Sequence, residues 1–383
     1  MSVTAARGFR AAGVSAGLKP SGRDVALVVN DGPSDAAAAV FTANRVKAAP
    51  VLWSQQVVAD GRLRAVVLNS GGANACTGPE GFADTHATAE RAAKALGIGA
   101  GEVAVCSTGL IGERLPMDAL LAGVDAAADA LNDTGGADAA DAIRTTDTVS
   151  KQSAYTHADG WTVGGMAKGA GMLAPSLATM LCVLTTDAAV DQSTVETALR
   201  AATRMTFDRI DADGCMSTND TVLLLAGGAS GVHPASADFA AIVEQVCADL
   251  ARQLIADAEG ATKEVTIDVG GAASENDAVE VGRAIAGNNL LKCALFGNDP
   301  NWGRVLAAIG TTRAAFDPDQ LDVRINGVEV CRGGTPGEPR DLVDLSGRVV
   351  QIAVYLHAGD SGATILTNDL SHGYVEENSA YSS

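Results

Sequence analysis

The sequence predicts a layered α+β fold, and three observations lead there. Short apolar runs of strand character alternate with alanine-rich helical patterns along 383 residues, a length that allows two or three domains. No GxGxxG turn opens a helix after a first strand and no GxxxxGK[ST] loop occurs, so doubly wound nucleotide-binding arrangements lack their phosphate-binding turns. Hydrophobic residues make up 47% of the chain but aromatics only 4%, which calls for a large core of Ala, Val, Leu and Ile.

In chain order, Val25–Asn30 reads as a strand, and further strand character follows in the run from Ala36 to Ser54. Arg62–Asn69 is a clearer strand, ending in the Gly/Asn-rich stretch NSGGANACTG (Asn69–Gly78). Such a stretch brings backbone amides close to a ligand, or is an ordinary turn into the helix expected over Glu80–Leu96. Strand Val103–Ser107 runs into Thr108-Gly109, and Pro116 opens a helix reaching Leu131. The Asp/Gly/Ala bias of Asn132–Ala142 marks a surface connection.

The second half predicts helices over Val190–Met205, Asp238–Ala258 and Glu275–Gly287, with a polar loop between Asp208 and Asp220. Strand Glu264–Val269, a hairpin turning at Asn326-Gly327, and strands Val349–His357 and Ala363–Asn368 complete the pattern. Between the halves lies GGMAKGAGMLAPSLATMLCVL (Gly164–Leu184), where a glycine-rich, flexible run carrying Lys168 meets an apolar strand at Ala178-Thr179.

Composition excludes several functions. A net charge of -19 opposes binding to nucleic acid or anionic membranes, which need clustered Lys and Arg. Seven dispersed cysteines without a CxxC pair indicate neither a disulfide framework nor a zinc knuckle. The five histidines show no HxxxH or HxH spacing, and the acidic 208–220 loop lacks EF-hand spacing, so no metal is expected. With no apolar run of spanning length and no signal-like start, a cytoplasmic protein is expected.

Two features suggest chemistry. If the chain were cut before Thr179, that residue would carry a nucleophilic hydroxyl beside an α-amine of pKa about 7.7 to 8, a built-in base. Thr108 and Gly109 offer a hydroxyl and an amide that can point the same way from a turn, as an oxyanion site requires. Alone, each is equally a β-branched residue opening a strand and a plain turn.

Taken together, several stretches resemble one family, the ornithine acetyltransferases, also called bifunctional glutamate N-acetyltransferases, of arginine biosynthesis. They are KGAGMLAPSLATML, STGLIG, NSGGANACTG, DGCMSTND, AEGATK, FGNDPNWGR and the terminal YVEENSAYSS, and the resemblance extends from GFRAAGV to Ser383. It implies an α/β/β/α-type sandwich of mixed sheets flanked by helices. It also implies self-cleavage between Ala178 and Thr179 into an α chain (1–178) and a β chain (179–383), assembled as α2β2. The implied reaction is ping-pong: Thr179 takes acetyl from N-acetylornithine and glutamate collects it, with no cofactor; bifunctional members also use acetyl-CoA. By motif matching, Thr108 and Gly109 form the oxyanion hole. Substrate-binding positions fall on Lys168, one of Thr145 and Thr146, Thr179, Glu259, Asn378 and Ser383. A lysine can meet an α-carboxylate, and Glu259 an ornithine ammonium.

Two residues depart from the family pattern: Gly72, where Asn is usual, and Cys215, where Asp is usual. They put local loop contacts in question. Two other readings compete, a hydrolase of the same broad fold that passes the acyl group to water, and a non-catalytic amino-acid-binding protein.

Overall fold

The computed structural model describes residues 2–173 and 180–380. Two of its sheets are built from strands β1 (Phe9–Val14), β2 (Val25–Asn30), β3 (Ala36–Phe41), β4 (Ala65–Asn69), β5 (Val103–Ser107), β6 (Lys151–Thr156), β7 (Thr162–Lys168), β8 (Leu181–Thr186) and β9 (Thr221–Ala226). One has the order β1-β2-β4-β5 and the other β3-β9-β8-β7-β6. Neighbours are antiparallel except for the parallel pairs β4 with β5 and β8 with β9.

The inner strands of both sheets are apolar on both faces, and the two-residue period sorts their side chains into separate layers. In β8, Leu181 and Val183 point between the sheets while Cys182 and Leu184 point outwards to helices. In β2, Ala26 and Val28 face the other sheet, and Val25, Leu27 and Val29 face helices. The two sheets therefore stack face to face. Among the helices α1 (Ala49–Val57), α2 (Gly78–Leu96), α3 (Met117–Asp129), α4 (Gly136–Ala142), α5 (Gln192–Met205) and α6 (Ser236–Ala256), the pair α2 and α3 covers the four-stranded sheet. Helices α5 and α6 cover the five-stranded one, which completes the expected α/β/β/α sandwich.

A third, six-stranded sheet comprises β10 (Glu264–Ala272), β11 (Asp322–Ile325), β12 (Val328–Arg332), β13 (Thr335–Pro336), β14 (Val349–Tyr355) and β15 (Ser361–Asn368), in the order β13-β12-β11-β14-β10-β15. It packs against α7 (Glu275–Ala286), α8 (Asn289–Phe296) and α9 (Trp302–Ile309) around its own core. The expected hairpin is present: Asn326 and Gly327 both take positive φ (46° and 86°), the requirement of a type I′ turn. A last helix, α10, spans His372–Ala380.

Three expectations are corrected. The strand character expected as far as Ser54 ends at Phe41, and Ala49–Val57 is helix α1 with Pro50 in its first turn. The Asn132–Ala142 stretch is not a surface connection: it contains α4, and Ala139, Ala140 and Ala142 are fully buried against the sheets. Its small residues permit the approach, because a Cβ on Gly13 of β1 would lie 1.9 Å from the Asp138 carbonyl oxygen. Nor is the glycine-rich run before Lys168 a flexible loop. It is β7, buried at all seven positions, where a Cβ at Gly164 would lie 2.3 Å from the Ser2 carbonyl oxygen. Those glycines make room for packing.

All seven cysteines are unpaired thiols. Among the described residues, no helix is long and apolar enough to cross a membrane, and no group of His, Cys, Asp and Glu is placed to hold a metal ion.

Candidate active site

The ends of β5 and β7, the loop entering β9, the segment between α4 and β6, and the residues after α6 converge on one cleft. Thr108, Gly109, Thr145, Thr146, Lys168, Glu259 and Asn378 all line it, so residues spread over most of the sequence share one wall. Ala178, Thr179 and Ser383 lie outside the described residues.

Gly109 has φ of +131°, and a Cβ there would stand 2.6 Å from the Gly72 amide nitrogen, so the turn admits only glycine. The stretch after β4 is its support. Thr108 N–H donates to the Asn69 carbonyl at 3.0 Å, and Gly72 N–H donates to the Thr108 carbonyl at 3.0 Å. Asn69 also accepts from the Ser107 hydroxyl at 2.6 Å and donates to the Gly72 carbonyl at 3.2 Å. The departure at Gly72 thus leaves these backbone contacts in place. Cys215, the other departure, is exposed.

Lys168 ends β7 with 1% of its surface exposed. Its ammonium donates to the Thr145 hydroxyl at 2.8 Å and to that of Thr108 at 3.4 Å. Burial pushes its pKa down, and Asp147, 3.7 Å away, opposes that shift. Glu259 is half-buried and carries the opposite charge. Its carboxylate accepts from the Thr146 hydroxyl at 2.7 Å and from the Asn378 amide at 2.9 Å. Adjacent threonines therefore serve opposite charges, Thr145 the ammonium and Thr146 the carboxylate.

Sequence reasoning missed two supporting side chains. Asn219 lines the cleft and its amide donates to two carbonyls at once, Ala73 at 2.6 Å and Ser107 at 2.8 Å, fastening the loops after β4 and β5 to the entry of β9. The motif DGCMSTND contained it without indicating which residue carries a role. The second is Asp220, which accepts from the Met180 amide at 3.0 Å. Burial raises its pKa well above its ordinary value, against the hydrogen bonds it receives.

A buried ammonium and a half-buried carboxylate facing one cleft at the edge of a stacked α/β/β/α core suit an enzyme that handles a small charged molecule. The chain belongs to the ArgJ family, whose profile matches residues 10–383. It is 67% identical to the arginine biosynthesis bifunctional protein ArgJ of Streptomyces coelicolor over the full length of both, and 66% identical to that of Thermobifida fusca, again over both full lengths. Among solved structures, ArgJ of Bacillus halodurans is similar with 35% identity and a TM-score of 0.50, covering 52% of this chain and 98% of that one. Ornithine acetyltransferase of Mycobacterium tuberculosis, solved with ornithine, matches at 65% identity with a TM-score of 0.45, over 47% and 96%.

Proposed function

We propose that this chain is a glutamate N-acetyltransferase of arginine biosynthesis, moving acetyl from N2-acetylornithine to glutamate through an acetyl ester on Thr179. The observation that carries the reading is the cleft, which gathers every matched substrate and oxyanion position that lies among the described residues. Full-length identity to bifunctional ArgJ proteins supports the same reaction.

In this reading the Thr179 hydroxyl attacks the acetyl carbonyl of N-acetylornithine, and the Thr179 α-amine receives the hydroxyl proton. The Thr108 hydroxyl and Gly109 amide stabilise the oxyanion. The amide C–N bond breaks, the proton passes to the leaving nitrogen, and ornithine departs. The amine of glutamate then attacks the ester, and the same steps in reverse release N-acetylglutamate and restore the hydroxyl. Lys168 holds the α-carboxylate of either substrate, with Thr145 beside it. Glu259, with Thr146 and Asn378, receives the side-chain ammonium of acetylornithine, and Ser383 adds a contact from the chain end. No cofactor enters these steps.

The α-amine requires a cut between Ala178 and Thr179, made when the Thr179 hydroxyl adds to the Ala178 carbonyl, the C–N bond breaks as its nitrogen takes up the hydroxyl proton, and water hydrolyses the resulting ester to an Ala178 carboxylate and a free Thr179 hydroxyl. The match of the Bacillus halodurans chain, almost whole, to only 52% of this one is consistent with a molecule divided near its middle. We place the product in the cytoplasm as an α2β2 assembly.

The test is intact mass under denaturing conditions combined with acetyl exchange between labelled N-acetylornithine and glutamate. Two fragments meeting at Ala178-Thr179 are expected in wild type, with one intact polypeptide and no exchange in Thr179→Ala. Acetate without acetylglutamate would instead identify a hydrolase.

A further inference from the structure

Behind the cleft lies a second set of charges that the proposed reaction does not use. Asp147 is fully enclosed between α4 and β6. One of its oxygens accepts from the Gly169 amide at 2.7 Å and from the Lys151 ammonium at 2.5 Å. The other accepts from the Thr145 amide at 3.1 Å and stands 3.7 Å from the Lys168 ammonium. Two cleft residues and the turn after β7 are therefore backed by the same carboxylate: Thr145 through its amide, Lys168 through its charge, and the turn through Gly169. Lys151, also fully buried, continues the set to Asp257 at 2.5 Å and to the Gly169 carbonyl at 3.2 Å. Asp257 in turn accepts from the Thr148 and Val149 amides, tying the end of α6, two residues before Glu259, to the segment that carries Thr145 and Thr146.

Two ammonium groups and two carboxylates balance within this cluster, and that balance decides what Lys168 can be. A lysine with 1% exposure loses its proton readily unless a counter-charge stays close. The charged groups facing Lys168 are Asp147 from the segment before β6, Lys151 from β6, Glu259 from beyond α6 and Asp220 at the entry of β9. Glu259 already serves Thr146 and Asn378, and burial keeps Asp220 towards its protonated form. Lys151 repels. Among the described residues, only Asp147 is both ionised and directly behind the ammonium.

We propose that Asp147 is a positioning residue that keeps Lys168 charged and aimed into the cleft, so that the α-carboxylate of the substrate meets an ammonium rather than a neutral amine. The proposal rests on the reading of Lys168 as the carboxylate-binding group. Asp147 itself touches no substrate. Burial alone would raise its pKa, but Lys168 and Lys151 together hold it well below the usual carboxylate range, so it stays ionised wherever the enzyme works.

The test uses full-length protein carrying 13Cε-labelled lysine, with the Lys168 resonance identified by its loss in Lys168→Met. In Asp147→Asn, Lys168 is expected to titrate lower than in wild type by about one pH unit or more, a tenfold loss of proton affinity. The KM for N-acetylornithine, as a ratio to wild type at the same pH, should be near one in mild acid. It should climb about tenfold per pH unit above the lowered pKa. Lys151→Met supplies the second variant: it disrupts the same cluster but removes a repelling charge, so Lys168 should titrate no lower than in wild type. An unmoved Lys168 titration in Asp147→Asn, a KM ratio that is high but flat with pH, or a lowered Lys168 pKa in Lys151→Met would each overturn the proposal. A wild type that exchanges no acetyl group would defeat the functional reading instead, while the Lys168 titration still decides the effect of Asp147.

Discussion

In the proposed reaction, Glu259 has to serve two substrates of opposite side-chain charge in one cleft. In that role it would attract the ammonium of N-acetylornithine and repel the side-chain carboxylate of glutamate, so its removal should act on the two half-reactions differently. Glu259→Gln can keep an acceptor for the Thr146 hydroxyl, 2.7 Å away, while it loses the charge and the second acceptor that faces the Asn378 amide. A hydrogen bond to a charged group is worth about 1.5 to 3 kcal/mol, so the KM for N-acetylornithine should rise by about 10- to 100-fold. The KM for glutamate should stay level or fall. Steady-state kinetics with each substrate varied in turn separates these outcomes, and an equal rise in both would remove Glu259 from ligand recognition.

At this scale, motifs made part of the site legible. Thr108-Gly109, Lys168 and Glu259 stand in distinctive stretches, and the cleft contains them all. Asp147 and Asn219 were not legible, because a polar residue in a polar loop acquires its meaning from what folds over it. Asp147 matters through Gly169 and Lys151, and Asn219 through carbonyls at 73 and 107, none of which the local sequence reveals.

At the scale of elements, the cleft depends on loops held to one another rather than to a single strand. Asn219 is the tie between those after β4 and β5 and the entry of β9. Asn219→Ala would leave the Ala73 and Ser107 carbonyls without that donor in a buried setting, at a cost of about 1 to 3 kcal/mol each. Its chemical denaturation midpoint should fall, with acetyl transfer reduced more steeply than stability because Thr108 follows directly on Ser107. An unchanged midpoint would show that other donors replace the amide. Apolar runs and helical spacing located β2, β5, β10, α2 and α6 well because their apolar positions keep to the pattern of one kind of element. It failed at α4 and β7, where Gly and Ala that admit close packing look like residues of a loop.

At the scale of the whole molecule, Lys292 of α8 joins the third sheet's helices to β15. Its ammonium donates to the Thr367 hydroxyl at 3.0 Å, the Asn368 carbonyl at 2.6 Å and the Asn368 side chain at 2.7 Å. Burial lowers its pKa to about 8 despite the opposing charges of Asp211, Asp213 and Asp369. Between that value and about 10.5 the unfolded chain holds a proton that the folded chain has released, so stability gains from rising pH in that window. Below about 8 the full penalty of keeping the charge buried is present. The integrated difference is about 3 kcal/mol, and Lys292→Met should lack this alkaline gain. Denaturation of both proteins across the window checks it, and parallel pH curves would contradict it.

The five-stranded sheet has a further consequence. Its order, β3-β9-β8-β7-β6, places the two strands that follow residue 179 in the middle and those that precede it on both flanks. A break before β8 therefore severs the polymer without freeing either piece, since departure would strip hydrogen-bonded neighbours from both sides of the central pair. The two products would be distinct to a denaturing gel and a single species to gel filtration. Neither half, synthesised from a gene of its own, would possess the whole five-stranded sheet before meeting the other.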